Sequence, residues 1–166
     1  MSDRTDDLSS QTPVHYDWSL SFDHTMLRKA LAYWIERSGT RPMPLKTDMS
    51  VRGTKEFIAN VSLMDINLTA DGSVDYSVKL IGERVRQYYG PIAHRKLSEF
   101  LPADLEQRWR AALDRVRTTK QPLRVHGRMS YANHTWLYQE TLLAPLSDDA
   151  GETAMFLMVT AWSPYR

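Results

Sequence analysis

Apolar residues recur at helical spacing in two stretches of the chain and alternate singly with polar ones in several others. Met26, Leu27, Ala30, Leu31, Trp34 and Ile35 follow i, i+4, i+8 spacing. They predict a helix from Asp23, capped by Ser21 or Asp23 and stopped at Gly39. Pro42 and Pro44 exclude regular helix beyond it, and a short helical piece is expected from Ser50 to Lys55 or Phe57. A second helix follows Pro102, with Leu105, Trp109, Ala112, Leu113 and Val116 on one stripe and Glu106, Arg110, Asp114 and Arg117 opposite.

Period-two patterning marks the strands. Ala59 to Asn67 reads as one, ended by the turn-forming pair Asp71-Gly72. In the next run, Ser73 to Ile81, Val74, Tyr76, Val78 and Leu80 alternate with Ser73, Asp75, Ser77 and Lys79, which predicts a half-buried strand. Gly82 to Tyr89 reads as a short helix closed by Gly90-Pro91. Three strands complete the chain: Leu123 to Tyr131, Thr135 to Ala144 and Thr153 to Trp162, with turns around Asn133 and Ser147 to Gly151. The last is apolar on both faces, so the outer side of the sheet needs a cover, either the N-terminal helix or a partner subunit. Helix, hairpin, helical cluster and three strands make an α+β pattern with an antiparallel, five-stranded sheet.

Composition narrows the chemistry. The 166 residues suffice for one core. Lys and Arg total 21 against 20 Asp and Glu, so no single-sign field favours a phosphate backbone or an anionic membrane. The absence of cysteine removes disulfides, thiolate nucleophiles, Cys-ligated metals and cysteinyl–flavin adducts. The polar, acidic start from Met1 to Gln11 is unlike a secretory signal, and no run approaches about 18 apolar residues; a cytoplasmic, soluble protein is the expectation. No nucleophile elbow, zinc-protease helix or phosphate-binding glycine loop occurs, so no catalytic residue is assigned.

The order and spacing of certain phrases are more specific. Asp71-Gly72-Ser73-Val74-Asp75-Tyr76 runs on to Leu80-Ile81-Gly82, then Tyr88-Tyr89-Gly90, then Lys96-Leu97-Ser98-Glu99-Phe100-Leu101-Pro102. Trp34 with Arg41-Pro42-Met43-Pro44 lies upstream, and Leu142-Leu143-Ala144-Pro145-Leu146-Ser147-Asp148-Asp149 leads into the last strand. From about Leu27 to Trp162 this resembles the PAS family, in particular small bacterial proteins with one PAS domain behind an N-terminal helix. It departs at His94, where many such sequences carry glycine before the basic residue, here Arg95.

The resemblance implies a PAS-like five-stranded antiparallel sheet with helices on one face and a flanking N-terminal helix. Residues 1–20 would be a tail, 21–50 the helix and proline-containing linker, and 51–166 the PAS-like domain. It implies a stand-alone sensory or adaptor module without catalysis, whose output passes to a signalling protein partner. The competing classes are a small cone-type α+β enzyme of the isomerase or dehydratase kind and a ligand-free interaction subunit.

Candidate ligand-binding residues are Tyr76, Tyr88, Trp109 and Tyr138, aromatic groups able to line a pocket, although plain core is the favoured reading. His94 is either a solvated loop residue or a haem ligand or proton switch. No cofactor is specified. His126 and His134 are expected to approach each other across a turn as a surface pair, since a metal site lacks a third ligand. Arg84, Arg86, Arg95 and Lys96 read as a solvated basic face or an anion contact. Leu27, Leu31 and Trp34 are the expected homodimer contact, as helices of this kind commonly serve in the resembled proteins. A small-molecule ligand is expected; nucleic acid and membrane are not.

Overall fold

A computed structural model describes residues 14–129, 134 and 136–164. Ser130, Tyr131, Asn133 and Thr135, and the tail through Pro13, lie outside them. Among the described residues six strands form one antiparallel sheet in the order β1-β4-β5-β6-β2-β3. They are β1 (His15–Asp17), β2 (Val61–Leu68), β3 (Val74–Ile81), β4 (Leu123–Arg128), β5 (Leu137–Ser147) and β6 (Thr153–Pro164). The helices are α1 (Thr25–Ser38), α2 (Glu83–Tyr89), α3 (Leu97–Phe100) and α4 (Ala103–Thr119). Among the described residues no helix is long and apolar enough to cross a membrane.

The sheet has one strand more than the pattern predicts. β1 was expected to be tail, yet it pairs with β4, His15 opposite His126 and Asp17 opposite Arg124. Three residues are too few to show a period. The segment expected to turn helical after Ser50 forms consecutive turns ending in the 3-10 turn Ile58–Asn60.

Alternation along β6 explains how both faces are covered. Leu157, Val159 and Ala161 join α1 residues Leu27, Ala30, Tyr33 and Trp34 in one core, while Phe156 joins α4 residues Leu105, Ala112, Leu113 and Val116 in the other. The cover for the outer face is thus the chain's own α1. Leu27 and Trp34 are buried against the sheet, Trp34 donating its indole N–H to Pro145 O at 2.9 Å, and Leu31 is half-buried. Of the predicted apolar stripe only Ile35 is exposed.

Neither Ser21 nor Asp23 caps α1. The N-cap is His24, without a side-chain bond of its own, and Glu140 of β5 accepts the backbone N–H groups of Asp23 and His24, each at 3.0 Å. A carboxylate there suits the positive end of the helix.

In β3, Tyr76 and Val78 point inward as predicted, but Leu80 is 48% exposed. The register slips between Leu63 and Met64, so that Met64 pairs with Val78 and Leu63 with Leu80; the extra residue, Lys79, reverses the alternation. Gly82 then enters α2 under close contact: a Cβ there would lie 2.3 Å from Ile58 O and 2.4 Å from Ala59 O.

Candidate functional site

Helices α2 to α4 do not seal completely onto the sheet. Between them is a cavity of about 60 Å³, floored by Ser62 and Met64 of β2, Val78 of β3, Gln139 of β5, and Met158 and Thr160 of β6. Val85 and Tyr89 of α2, Phe100 of α3 and Trp109 and Leu113 of α4 supply the helical walls. A second cavity, about 30 Å³, lies between α4, β4 and the segment Val14 to Tyr16. Tyr89, Trp109 and Gln139 line both cavities and so form the partition between them. Tyr16 closes the outer side by donating its hydroxyl to Arg108 O at 2.9 Å.

The larger cavity is apolar with one polar strip. Gln139, Thr160 and Ser62 come from the adjacent strands β5, β6 and β2, on the face shared with Phe156. Gln139 Oε1 accepts from Tyr89 Oη at 2.8 Å and from Trp162 Nε1 at 2.9 Å. The Thr160 and Thr141 hydroxyls lie 3.0 Å apart and hydrogen bond to each other. No aspartate, glutamate, histidine, lysine or arginine lines this cavity among the described residues.

Of the four aromatics predicted to line a pocket, only Trp109 does so. Tyr76 is packed into the core beyond it, edge-on to Phe156, with its hydroxyl donated to Asp114 Oδ1 at 2.5 Å and accepting from Arg117 Nε at 3.0 Å. Desolvation, aided by Asp114, pushes the Tyr76 phenol up to about 12. Tyr88 packs at a tilt against Trp162, ring centroids 4.3 Å apart, outside the cavity, and its neighbour Tyr89 takes the lining position. Tyr138 lies on the opposite face from Gln139, with its hydroxyl 2.5 Å from His126 Nδ1. Burial raises its phenol and, acting first, lowers the His126 imidazole, which Arg124 and His15 lower further.

His94 is exposed on the loop after α2 and is not among the residues lining either cavity. His126 and His134 find other partners: His15 stacks on His126 at 5.1 Å, and His134 packs edge-on against Tyr88 at 5.4 Å. The basic stretch is solvated, with Arg95 paired to Glu99 and Lys96 to Asp75.

Sequence reasoning missed Tyr89, Gln139 and Ser62. A signal existed for Gln139: it shares parity with Leu143 on β5, so a polar residue faces the helices where an apolar one is the norm.

Comparison with known proteins accords with this architecture. No curated protein matches the chain. Among solved structures, an RNA-binding light-oxygen-voltage receptor superposes with a TM-score of 0.52 at 11% identity, over 91% of this chain and 39% of the receptor. The chain therefore spans well under half of that receptor's length, and the likeness is one of fold. The family model described as PAS domain matches residues 22–160, from just before α1 into β6. This chain belongs to the PAS domain family.

Proposed function

We propose that this protein is a sensory and adaptor module that holds a small molecule in the cavity beneath Tyr89 and Trp109 and passes its occupancy to a protein partner. The observation that carries the reading is a mostly apolar cavity with a few converging polar groups, the usual character of a binding site. Occupancy has a physical route outward. Met158 and Thr160 floor the cavity, while the alternate residues Leu157, Val159 and Ala161 of the same strand pack under α1. A shift of β6 is therefore felt on both faces.

The walls favour binding over reaction. Isomerase or dehydratase chemistry needs an acid and a base within reach of substrate, and the cavity is lined by no carboxylate, imidazole or amine among the described residues. Its volume, far below the roughly 300 Å³ at which ligand pockets usually begin, suits a molecule of a few heavy atoms. A haem or flavin ring system does not fit without repacking of the walls.

Native mass spectrometry of the purified protein, followed by hydrogen exchange on α1 before and after ligand removal, tests the reading. A retained small molecule whose loss speeds exchange in α1 is expected. A clean apoprotein mass, together with α1 exchange indifferent to added small molecules, would leave an interaction subunit without a ligand.

A further inference from the structure

We infer that the cavity takes a compact, neutral, mostly apolar molecule ending in a hydrogen-bond acceptor such as a ketone, ester or amide carbonyl, held by Gln139 Nε2 and Ser62 Oγ. This rests on the ligand-binding reading above and names the chemistry of its occupant.

The orientation of the Gln139 amide follows from its neighbours. An indole N–H can only donate, so the Gln139 atom 2.9 Å from Trp162 Nε1 must be the oxygen. Tyr89 donates to the same oxygen. With two donors on Oε1, the amide has only its NH₂ to offer a ligand, and Nε2 has no partner among the described residues. Ser62 gives a second, independent sign. The residue is 8% exposed, lines the cavity, and its hydroxyl makes no hydrogen bond within the described structure. Among the described residues no buried polar side-chain atom is left fully enclosed without a partner, so that hydroxyl is open to the cavity it lines.

The amide therefore presents only donors and the Ser62 hydroxyl can donate or accept, while the other lining side chains among the described residues are apolar or already bonded. Thr160 is engaged with Thr141, and Met64, Met158, Val78 and Leu113 offer only hydrocarbon and thioether surface. An ammonium ion would face the Gln139 NH₂ and be desolvated with no counter-charge; a carboxylate would be desolvated without a cation. A carbonyl oxygen satisfies both groups while its alkyl part fills the apolar side, where the two methionines can adapt.

The test uses three probes of one shape: cyclopentanone, methylenecyclopentane and cyclopentylammonium. Each is titrated into the full chain while the Gln139 side-chain amide is followed by ¹⁵N NMR, its signals assigned by their loss in Gln139→Glu. The ketone is expected to bind about tenfold tighter than the hydrocarbon, one hydrogen bond's worth, and the ammonium ion not to bind. Gln139→Glu keeps an acceptor for Tyr89 and Trp162 but has no NH₂, and should abolish the ketone's advantage. Ser62→Ala, which is expected to fold normally, should weaken the ketone about threefold and leave the hydrocarbon unchanged. Equal binding of ketone and hydrocarbon, or displacement of the ketone by the ammonium ion, would overturn the acceptor inference and leave the ligand site standing. Failure of all three probes to shift any cavity resonance would remove both.

Discussion

Arg124 and Glu140 meet diagonally across β4 and β5, with Nε donating to Oε2 at 2.6 Å and Glu140 wholly buried. The same carboxylate accepts from the start of α1, and the same guanidinium reaches Asp17 of β1 and Asp23, each at 3.3 Å. One ion pair thus ties together the edge strand, the N-terminal helix and the centre of the sheet.

Removing the carboxylate leaves two backbone N–H groups without their acceptor and the guanidinium with only its longer contacts to Asp17 and Asp23. Glu140→Ala is expected to cost about 3–5 kcal/mol, the usual range for breaking a buried pair from one side. The double variant Arg124→Met, Glu140→Leu should recover part of that loss, because the desolvation of both charges disappears with them while the Asp23 and His24 N–H groups still lack their acceptor. Urea unfolding of the three proteins checks this, and a Glu140→Ala midpoint equal to wild type would contradict it.

Tyr76 supplies a spectroscopic prediction. Its phenol is raised to about 12 by burial first and by Asp114 second, against an unfolded value near 10. A raised value stabilises the fold fully below about pH 10, and that contribution is lost as pH climbs through about 12. Absorbance titration at alkaline pH should show one tyrosine ionising at about pH 12 or on unfolding, a signal absent in Tyr76→Phe. That variant should lose about 1–2 kcal/mol, since the Asp114 carboxylate remains nearly half exposed and partly compensates with water.

Much of this arrangement was readable from the chain and some was not, for physical reasons. The strand through Tyr76 and Val78, the stop at Gly39 and the α4 stripe follow from local period and backbone chemistry alone. Leu80 did not, because a bulge reverses parity and its cause lies on the partner strand at Leu63 and Met64. The cap of α1 comes from a carboxylate 116 residues away. Trp109 was legible at the cavity because a helical stripe fixes its own inner side. Gln139 and Ser62 were harder, since period two separates a strand's faces without saying which one meets the helices.

Asp17 supplies an acid prediction. The Ser19 hydroxyl, then the backbone N–H groups of Ser21 and Ser19, then the Arg124 charge hold its carboxyl down to about 2. A depressed value stabilises the fold above the unfolded pKa, near 3.9, and that contribution fades as pH falls through about 2. The contacts at β1 should therefore loosen between about pH 4 and pH 2. Carboxyl ¹³C NMR of Asp17, with the Tyr16 ring as reporter, checks this; a midpoint near 4 would refute it.

His94 stands where many resembled sequences carry glycine, and the backbone explains what that costs. Its φ is 69°, so the chain keeps a glycine-type conformation while carrying an imidazole. The loop must hold that shape, because His94 N–H donates to Val78 O at 2.6 Å and Val78 N–H to Arg95 O at 2.9 Å, which covers the outer edge of β3. A left-handed conformation costs an L-residue about 1–2 kcal/mol, while glycine adds unfolded-state entropy of about 0.4–1 kcal/mol. His94→Gly is therefore expected to raise stability by up to about 1 kcal/mol, and His94→Val to lower it by about 1 kcal/mol or more, since a β-branched side chain tolerates this region least. Urea midpoints of the two variants decide the matter; a loss on His94→Gly would mean that the imidazole itself holds the loop in place.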